Sequence, residues 1–383
     1  MSAAKKEIRS DPVRTDARSG LRVLTVGGAM IDTIAIIESA AIERMLLLNA
    51  ESSFLLLEEG RKTEALEVST HCGGGAINAA VAFARLGHSA SVLIKIGADR
   101  RADQILAALD AEGISHRWAL RDSHAPTGAS VLVSSHERNA AVFTFRGANT
   151  LLRPADLDDG AFDVDLVYIA NLSNEAAACF PDIVAKAKSA GARVVANPGI
   201  RQLHGHGSAF RALLRKIDIL ALNRREADEV IALLDAGTAQ DDPGLDGGGE
   251  TLPPLAVRGL KFESRKMSVR AFCRALISAG VGTVVLTDGR DGAFVATRDR
   301  LLYSPAHQAH VAGTAGAGDA FVSTFSGYLA AGEAPDTALL AATLNAGAVL
   351  GYVDTQSGLM RRSEIDALLD SKKSTPNVME WPL

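Results

Sequence analysis

Short apolar runs that end in glycine alternate with helical stretches along most of this chain, and that rhythm restricts the fold more than any other feature of the sequence. LRVLTVGG, from Leu21, reads as a strand running into a glycine turn. INAAVAFARLG (Ile77–Gly87) reads as a helix closed by Gly87. SVLIKIG, LVYIANL, RVVANPG, IDILALN and TVVLTDG repeat the strand pattern, separated by helical segments such as DQILAALDAEGI, DIVAKAKSAGA, FRALLRK and SVRAFCRALISAG. Unbroken apolar runs belong to strands covered on both faces. Alternation at this pace predicts right-handed βαβ units and an α/β fold, a central, mostly parallel sheet with helices on both faces.

Two regions depart from the rhythm. ASVLVSS and AAVFTFR read as hairpin partners, and the glycine-poor stretch between Asp32 and Gly73 reads as further strands. Segments of about 34–70 and 127–146 are therefore expected to form a small β lid. An apolar lid face would pair two subunits, so a homodimer is expected. Residues of about 235–266 include DDPGLDGGGETLPP, whose Gly, Pro and Asp content predicts a mobile insertion. Residues 1–20 are polar and charged without an apolar core, and are expected as a disordered leader rather than a signal peptide. The ordered domain is expected over 21–370, with 371–383 as a C-terminal tail.

Composition removes several functional classes. The 383 residues carry 40 basic and 45 acidic side chains, net −5, which gives no electrostatic reason to bind nucleic acid. No run approaches the ~18 apolar residues a membrane span needs. Cys72, Cys179 and Cys273 match no metal or redox spacing and point to a reducing, cytoplasmic setting.

The strongest chemical signal is Gly313-Thr314-Ala315-Gly316-Ala317-Gly318-Asp319 before an apolar helix that runs to about Ala331. Small residues let a ligand approach the backbone, and a helix start offers free N–H groups to phosphate. The turn lacks the Lys-Ser/Thr of a Walker A loop and lies too far along the chain for a Rossmann fingerprint. Asp319 inside such a turn fits a base that takes the proton of a hydroxyl attacking phosphate, with Gly316, Ala317 and Gly318 forming the anion hole. It fits an ordinary helix N-cap equally well. On either reading the helix start should favour its charged form.

Here the chain resembles the ribokinase-like (PfkB) carbohydrate kinases. Gly316-Ala317-Gly318-Asp319 is similar to the core of their C-terminal signature. Gly73-Gly74-Gly75-Ala76-Ile77-Asn78-Ala79-Ala80, then Ala84-Arg85-Leu86-Gly87, is similar to the N-terminal one. The resemblance covers roughly Leu21 to Leu369. It implies an ATP-dependent kinase acting on a hydroxyl of a sugar or sugar-like molecule, with Asp319 as general base. A nucleoside is the alternative substrate, because its ribose presents the same hydroxyls. The resemblance further implies substrate contacts from Asp32, Gly73, Gly74, Asn78 and Asn149. It implies nucleotide contacts from Asn223, Thr287, Gly289, Gly292 and Asn345, and a water-mediated Mg²⁺ contact from Glu226. Gly313 stands where the family usually has an Asp that helps bind a monovalent cation, so potassium should have little effect. Ser173 stands where ribokinases place an acidic side chain, which argues against ribose itself.

Two other readings remain in view. A sugar-binding regulator that kept the fold would have no need of Asp319 or its glycine turn. A dinucleotide oxidoreductase would need a Gly-x-Gly-x-x-Gly near the first strand, which Gly27-Gly28-Ala29-Met30-Ile31-Asp32 does not supply.

Overall fold

The computed structural model describes residues 20–38, 43–46, 53–56, 60, 62–134, 141–234, 245–247, 251–371 and 376–383. The expected leader lies outside the described residues except for Gly20. A ten-stranded sheet forms the body. Across it the strands are Met379–Pro382, Arg300–Ser304, Ala293–Ala296, Thr283–Thr287, Ile219–Asn223, Arg193–Ala196, Leu166–Ile169, Arg22–Val26, Ser89–Gly97 and Ser115–Asp122. From Ser115–Asp122 across to Thr283–Thr287 every pairing is parallel; the remaining three strands add antiparallel.

The first strand sits inside the sheet. The chain builds to one side through Ser89–Gly97, then returns to the other side at Leu166–Ile169. That reversal makes a topological switch point, and in open α/β sheets ligands bind in the crevice beyond the carboxyl ends of such strands. Each strand feeds two cores. Leu24, Val26, Val167 and Ile169 face one; Val23, Leu166 and Tyr168 face the other. Thr25, fully buried, donates its hydroxyl to Ala76 O at 2.9 Å and ties the first strand to the helix Gly75–Arg85.

A second sheet of four strands lies apart, in the order Ala65–Gly73, Met30–Ile37, Gly128–Ser134 and Ala141–Phe145. The expected hairpin is present, with Ala129 opposite Phe145. The sheet begins at Met30, ahead of the expected start, so Asp32 lies within a lid strand and not in the turn after the first strand. It stands between His71 on one neighbour and Ser130 on the other. Ile34, Ile36 and Leu132 on the same face are buried against Ala315 and Val353, next to the glycine-rich turn before Asp319. Glu43–Leu46 and Ser53–Leu56 pair as a separate ladder.

Three stretches differ from expectation. Ser115–Asp122 is an edge strand whose half-exposed pattern hid it in the sequence. Residues 251–266 belong to an ordered unit and not to a mobile loop. Pro254–Arg258 is a helix and Leu260–Phe262 pairs with Arg265–Met267, because Leu255, Leu260 and Met267 bury in the main core. Residues 235–244 and 248–250 lie outside the described residues. The tail ends as the tenth strand, with buried Trp381 donating to Asp246 O at 2.7 Å.

His88 gives the fold a pH dependence. It is buried, and its Nδ1 accepts from Leu21 N at 3.2 Å. Burial first, then the nearby Arg362, holds the imidazole below its usual 6.5. The unfolded chain takes up this proton near 6.5 and the folded chain only at lower pH, so stability falls as pH drops from about 6.5 to the folded value. His88→Asn keeps an acceptor and cannot titrate. It should lose less stability than the parent between about pH 7.5 and 5.5, read from urea midpoints.

Candidate active site

Gly316 caps the helix Ala317–Ala330 in the left-handed region, φ 80°. A β-carbon there would lie 2.6 Å from Thr355 Cβ, so conformation and space both require glycine. The cap position is therefore taken, and Asp319 is the third helical residue. Its Oδ2 accepts from Asn78 Nδ2 at 2.8 Å. This removes the N-cap reading of Asp319. The first bond inside the helix runs from Ala320 N to Gly316 O, 2.9 Å, which leaves the amides of Ala317, Gly318 and Asp319 at the open helix start.

Asn78 comes from the first turns of Gly75–Arg85 and is 4% exposed. Its Oδ1 accepts from Thr355 Oγ1 at 2.8 Å and from Gln356 Nε2 at 3.3 Å. Of its two amide hydrogens one serves Asp319, and only the other remains for a ligand. Gly74 precedes this helix at φ 99°, and a β-carbon on it would lie 2.5 Å from Gly28 O. A β-carbon on Gly73 would overlap Asp32 Oδ2, and one on Gly75 would lie 2.9 Å from Ala170 Cβ and 3.6 Å from Asp319 Oδ1. The three glycines let Asp32, Asp319 and the end of the Leu166–Ile169 strand converge.

Electrostatics at this point runs against the sequence expectation. Burial raises the Asp319 carboxyl above its usual range, while the Asn78 hydrogen bond pulls the other way. The helix start does not win, because the backbone of Gly75 and the fully buried Tyr168 screen the carboxylate from water. Burial likewise raises Asp32, opposed by the Ser130 hydroxyl, which donates to its Oδ1, and by His71. Glu226 is pushed up to about 7, by burial first and then by Asp319, against its hydrogen bonds with Asn223.

Asn223 and Glu226 form a capping box at the start of Arg224–Ile231: Asn223 N donates to Glu226 Oε2 at 2.9 Å and Glu226 N to Asn223 Oδ1 at 3.0 Å. Thr287 pairs with Asn223 on the adjacent strand. After it, Asp288 N donates to Gly292 O at 2.8 Å, closing a turn with Gly289 at φ 57° and Gly292 at φ 94°. Arg258, from the ordered part of the insertion, donates to Asp288. Among the described residues no group of three or more His, Cys, Asp or Glu could cage a metal.

Two expected contacts lie elsewhere. Asn345 is fully buried; its Nδ2 donates to Thr324 Oγ1 and its Oδ1 accepts from Met360 N, both at 2.8 Å. It joins two helices, because Pro335–Val349 is packed around this position and presents no crevice face there. Asn149 spends both polar atoms on Ala29, accepting from its N and donating to its O at 2.8 Å each. It latches the lid's exit to the first turn. Sequence reasoning missed Ser130, Thr355, Gln356 and His71. His71 Nε2 is buried beside Asp32 with no partner among the described residues. None of the four lies in a motif; only the alternation of ALEVSTHCG places His71 on a strand.

A switch-point crevice with a carboxylate set among free helix-start amides defines a phosphotransferase of the α/β class. The chain belongs to the pfkB family of carbohydrate kinases, whose model matches residues 32–361. It is 25% identical over 303 residues to a deoxyribokinase from Salmonella typhi, covering 78% of this chain and 88% of that one. Among solved structures it resembles a putative ribokinase II from E. coli in complex with ATP and Mg²⁺, with TM-score 0.68 and 16% identity over 92% of this chain and 99% of the other. It also resembles a Burkholderia thailandensis nucleoside kinase in complex with inosine, with TM-score 0.67 and 19% identity over 93% of this chain and 100% of the other.

Asn78→Ala tests the geometry without any substrate. It strips the acceptor from Thr355 and Gln356 and the donor from Asp319. Stability should fall by about 1–3 kcal/mol in urea unfolding, the cost of stranding buried polar groups. Asn78→Asp restores the acceptor but sets a second carboxylate against Asp319, and should be no more stable than Asn78→Ala at neutral pH.

Proposed function

We propose that this crevice transfers the γ-phosphate of ATP to a hydroxyl of a sugar or sugar-like molecule, with Asp319 as the base. The observation that carries the reading is the Asp319 carboxylate, held by Asn78 beside the open amides of Ala317 and Gly318. Asp32, the spare Asn78 hydrogen and His71 Nε2 would hold substrate hydroxyls, with the Gly73–Gly74 backbone alongside. The amides of Ala317 and Gly318 would meet charge as it spreads over the transferring phosphoryl group. Asp319 orients the hydroxyl and takes its proton late, when a loose transition state has made it acidic. Its raised proton affinity makes it a better base than an exposed Asp.

The donor set fits a magnesium ion carried with ATP. One half-buried carboxylate, Glu226, with a proton affinity raised first by burial and then by Asp319, suits contact through water to a cation that keeps most of its hydration. Bound there, Mg²⁺ would neutralise phosphate charge. Asn223, Thr287, Gly289 and Gly292 line up on adjacent strand ends to receive the nucleotide. Gly313 leaves no room for the carboxylate a monovalent-cation site would use: a β-carbon there would lie 2.8 Å from Tyr352 O. Potassium is therefore expected to have little effect.

A sugar is favoured over a nucleoside by the lid's two faces. Thr144 shares the face of Asp32 and Ser130, so Phe143 and Phe145 point away from it. The lid hairpin thus sets no aromatic wall over Asp32, and Phe145 lines the groove at the lid's exit instead. The free cysteines, two of them buried, fit a reducing cytoplasm. No described helix is long and apolar enough to cross a membrane.

Asp319→Asn keeps shape and loses the base. Steady-state kinetics should show kcat falling by about 10²-fold or more, the lower end for general-base catalysis, with ATP affinity near that of the parent. Near-parental turnover would reduce Asp319 to a structural residue. Separately, Val68, Val131, Phe143 and Phe145 stand 44–63% exposed on the lid's outer face, which fits pairing with a second copy. Sedimentation velocity should show a dimer that Phe143→Glu converts to monomer; a monomeric parent would refute the pairing.

A further inference from the structure

We infer that the substrate of this kinase is an oxyanion-bearing sugar, its carboxylate or phosphate held between Arg146 and Arg201 where the lid rejoins the sheet. The inference rests on the kinase reading and narrows it. A groove of about 420 Å³ opens at this point, lined among others by Phe145, Arg146, Thr150, Asn174 and Arg201. Arg146 is half-buried and uses one Nη1 hydrogen on Ser173 Oγ, 3.1 Å away, out of the five N–H donors a guanidinium carries. Burial and the charge of Arg201 both disfavour its protonated state, and among the described residues no carboxylate offsets them. Two like charges sharing a groove cost energy that structure alone does not return. A bound oxyanion returns it, and guanidinium forks match carboxylate and phosphate oxygens in pairs.

The groove also lies at a useful distance. A β-carbon on Gly75 would lie 2.9 Å from Ala170 and 3.6 Å from Asp319, so Ala170 sits close beside the proposed base. Ser173 follows three residues later, and three residues span at most about 10 Å. An open five- or six-carbon chain with a terminal oxyanion bridges that interval. One end would place a hydroxyl at Asp319, with further hydroxyls at Asp32, while the other end meets Arg146 and Arg201.

Matched triplets test this: ribose, ribonate and ribose 5-phosphate, and glucose, gluconate and glucose 6-phosphate, each with ATP and Mg²⁺. At least one acidic member should exceed its neutral aldose in kcat/KM by about tenfold or more, and the aldonate and phosphate arms identify which oxyanion. Arg201→Gln and Arg146→Gln should each lower the acid-to-neutral ratio by about 10- to 150-fold, through KM, as expected for a lost hydrogen bond to a charged group. Arg146→Lys should recover part of it. Arg201 is exposed, so its variant reads the effect even if Arg146→Gln folds poorly. A preference for neutral aldoses that neither variant shifts overturns the inference. If nothing is phosphorylated, calorimetry separates the two claims. Aldonate or sugar phosphate bound by the parent and lost in Arg201→Gln keeps the subsite and removes the kinase reading; no binding of either removes the subsite.

Discussion

The hydrogen bond from Asn78 Nδ2 to Asp319 Oδ2 joins residues 241 positions apart, and the rest of the crevice is arranged around it. Asn78 is fixed from three sides. Gly74 starts its helix in a conformation closed to other residues, Thr355 and Gln356 occupy its oxygen, and Thr25 pins the same helix to the central strand. Thr355 packs in turn where a Gly316 side chain would stand. The two glycine-rich turns are thus tied to each other through one loop near the end of the ordered domain. Neither turn is a site alone. The carboxylate gains its direction only when a turn from the first third of the chain meets one from the last fifth.

Charge is distributed along the crevice by burial more than by pairing. Asp32, Asp319 and Glu226 all hold protons more tightly than exposed carboxylates do, with desolvation as the first cause in each case. In each case a specific donor opposes the shift: the Ser130 hydroxyl, the Asn78 amide and the Asn223 backbone N–H respectively. In the proposed role, a raised proton affinity would let Asp319 take a hydroxyl proton more readily than an exposed carboxylate, and the Asn78 hydrogen bond would favour its ionised form. Asp319 adds to the raised proton affinity of Glu226, an effect that a cation between them would oppose. At the lid's exit the sign reverses, with two guanidinium groups and no carboxylate among the described residues. On the proposed reading, hydroxyls and a proton would be handled at one end and fixed negative charge attracted at the other.

How much of this was legible in the sequence depends on how local the cause is. The strand–helix rhythm and the glycine turns were readable because their reasons sit within a few residues: apolar runs, a helix start, a position where only glycine fits. The lid hairpin was readable for the same reason. Asp32 was expected just ahead of the lid, yet its strand is defined by partners at His71 and Ser130, and pairing across that distance leaves no local mark. Asn345 and Asn149 carry the polar side chains a ligand site needs, but both spend them inside the protein, and only packing reveals that. The tail looked like a tail because Met379–Pro382 has no helix or turn of its own; it becomes a strand only against Arg300–Ser304. Burial raises the proton affinity of Asp319 where the helix start was expected to lower it, because desolvation depends on packing that the sequence does not show.

The lid shows how packing far from the chemistry decides it. Side chains on a strand alternate between faces, so a slip of one residue in Met30–Ile37 would turn Asp32 to the outer surface and set Ile31 or Thr33 over the glycine turn. What prevents the slip is the buried trio Ile34, Ile36 and Leu132 against Ala315 and Val353. Moving those side chains to solvent would forfeit roughly 1.5–3 kcal/mol for each large aliphatic group, more than a single strand pairing can recover. Ala315 immediately precedes the glycine that caps the helix Ala317–Ala330, so the contact that sets the register of Asp32 also presses on the turn that leads to Asp319. Asp32 lies on a lid strand and Asp319 on a helix, and this small apolar seam ties the two elements together.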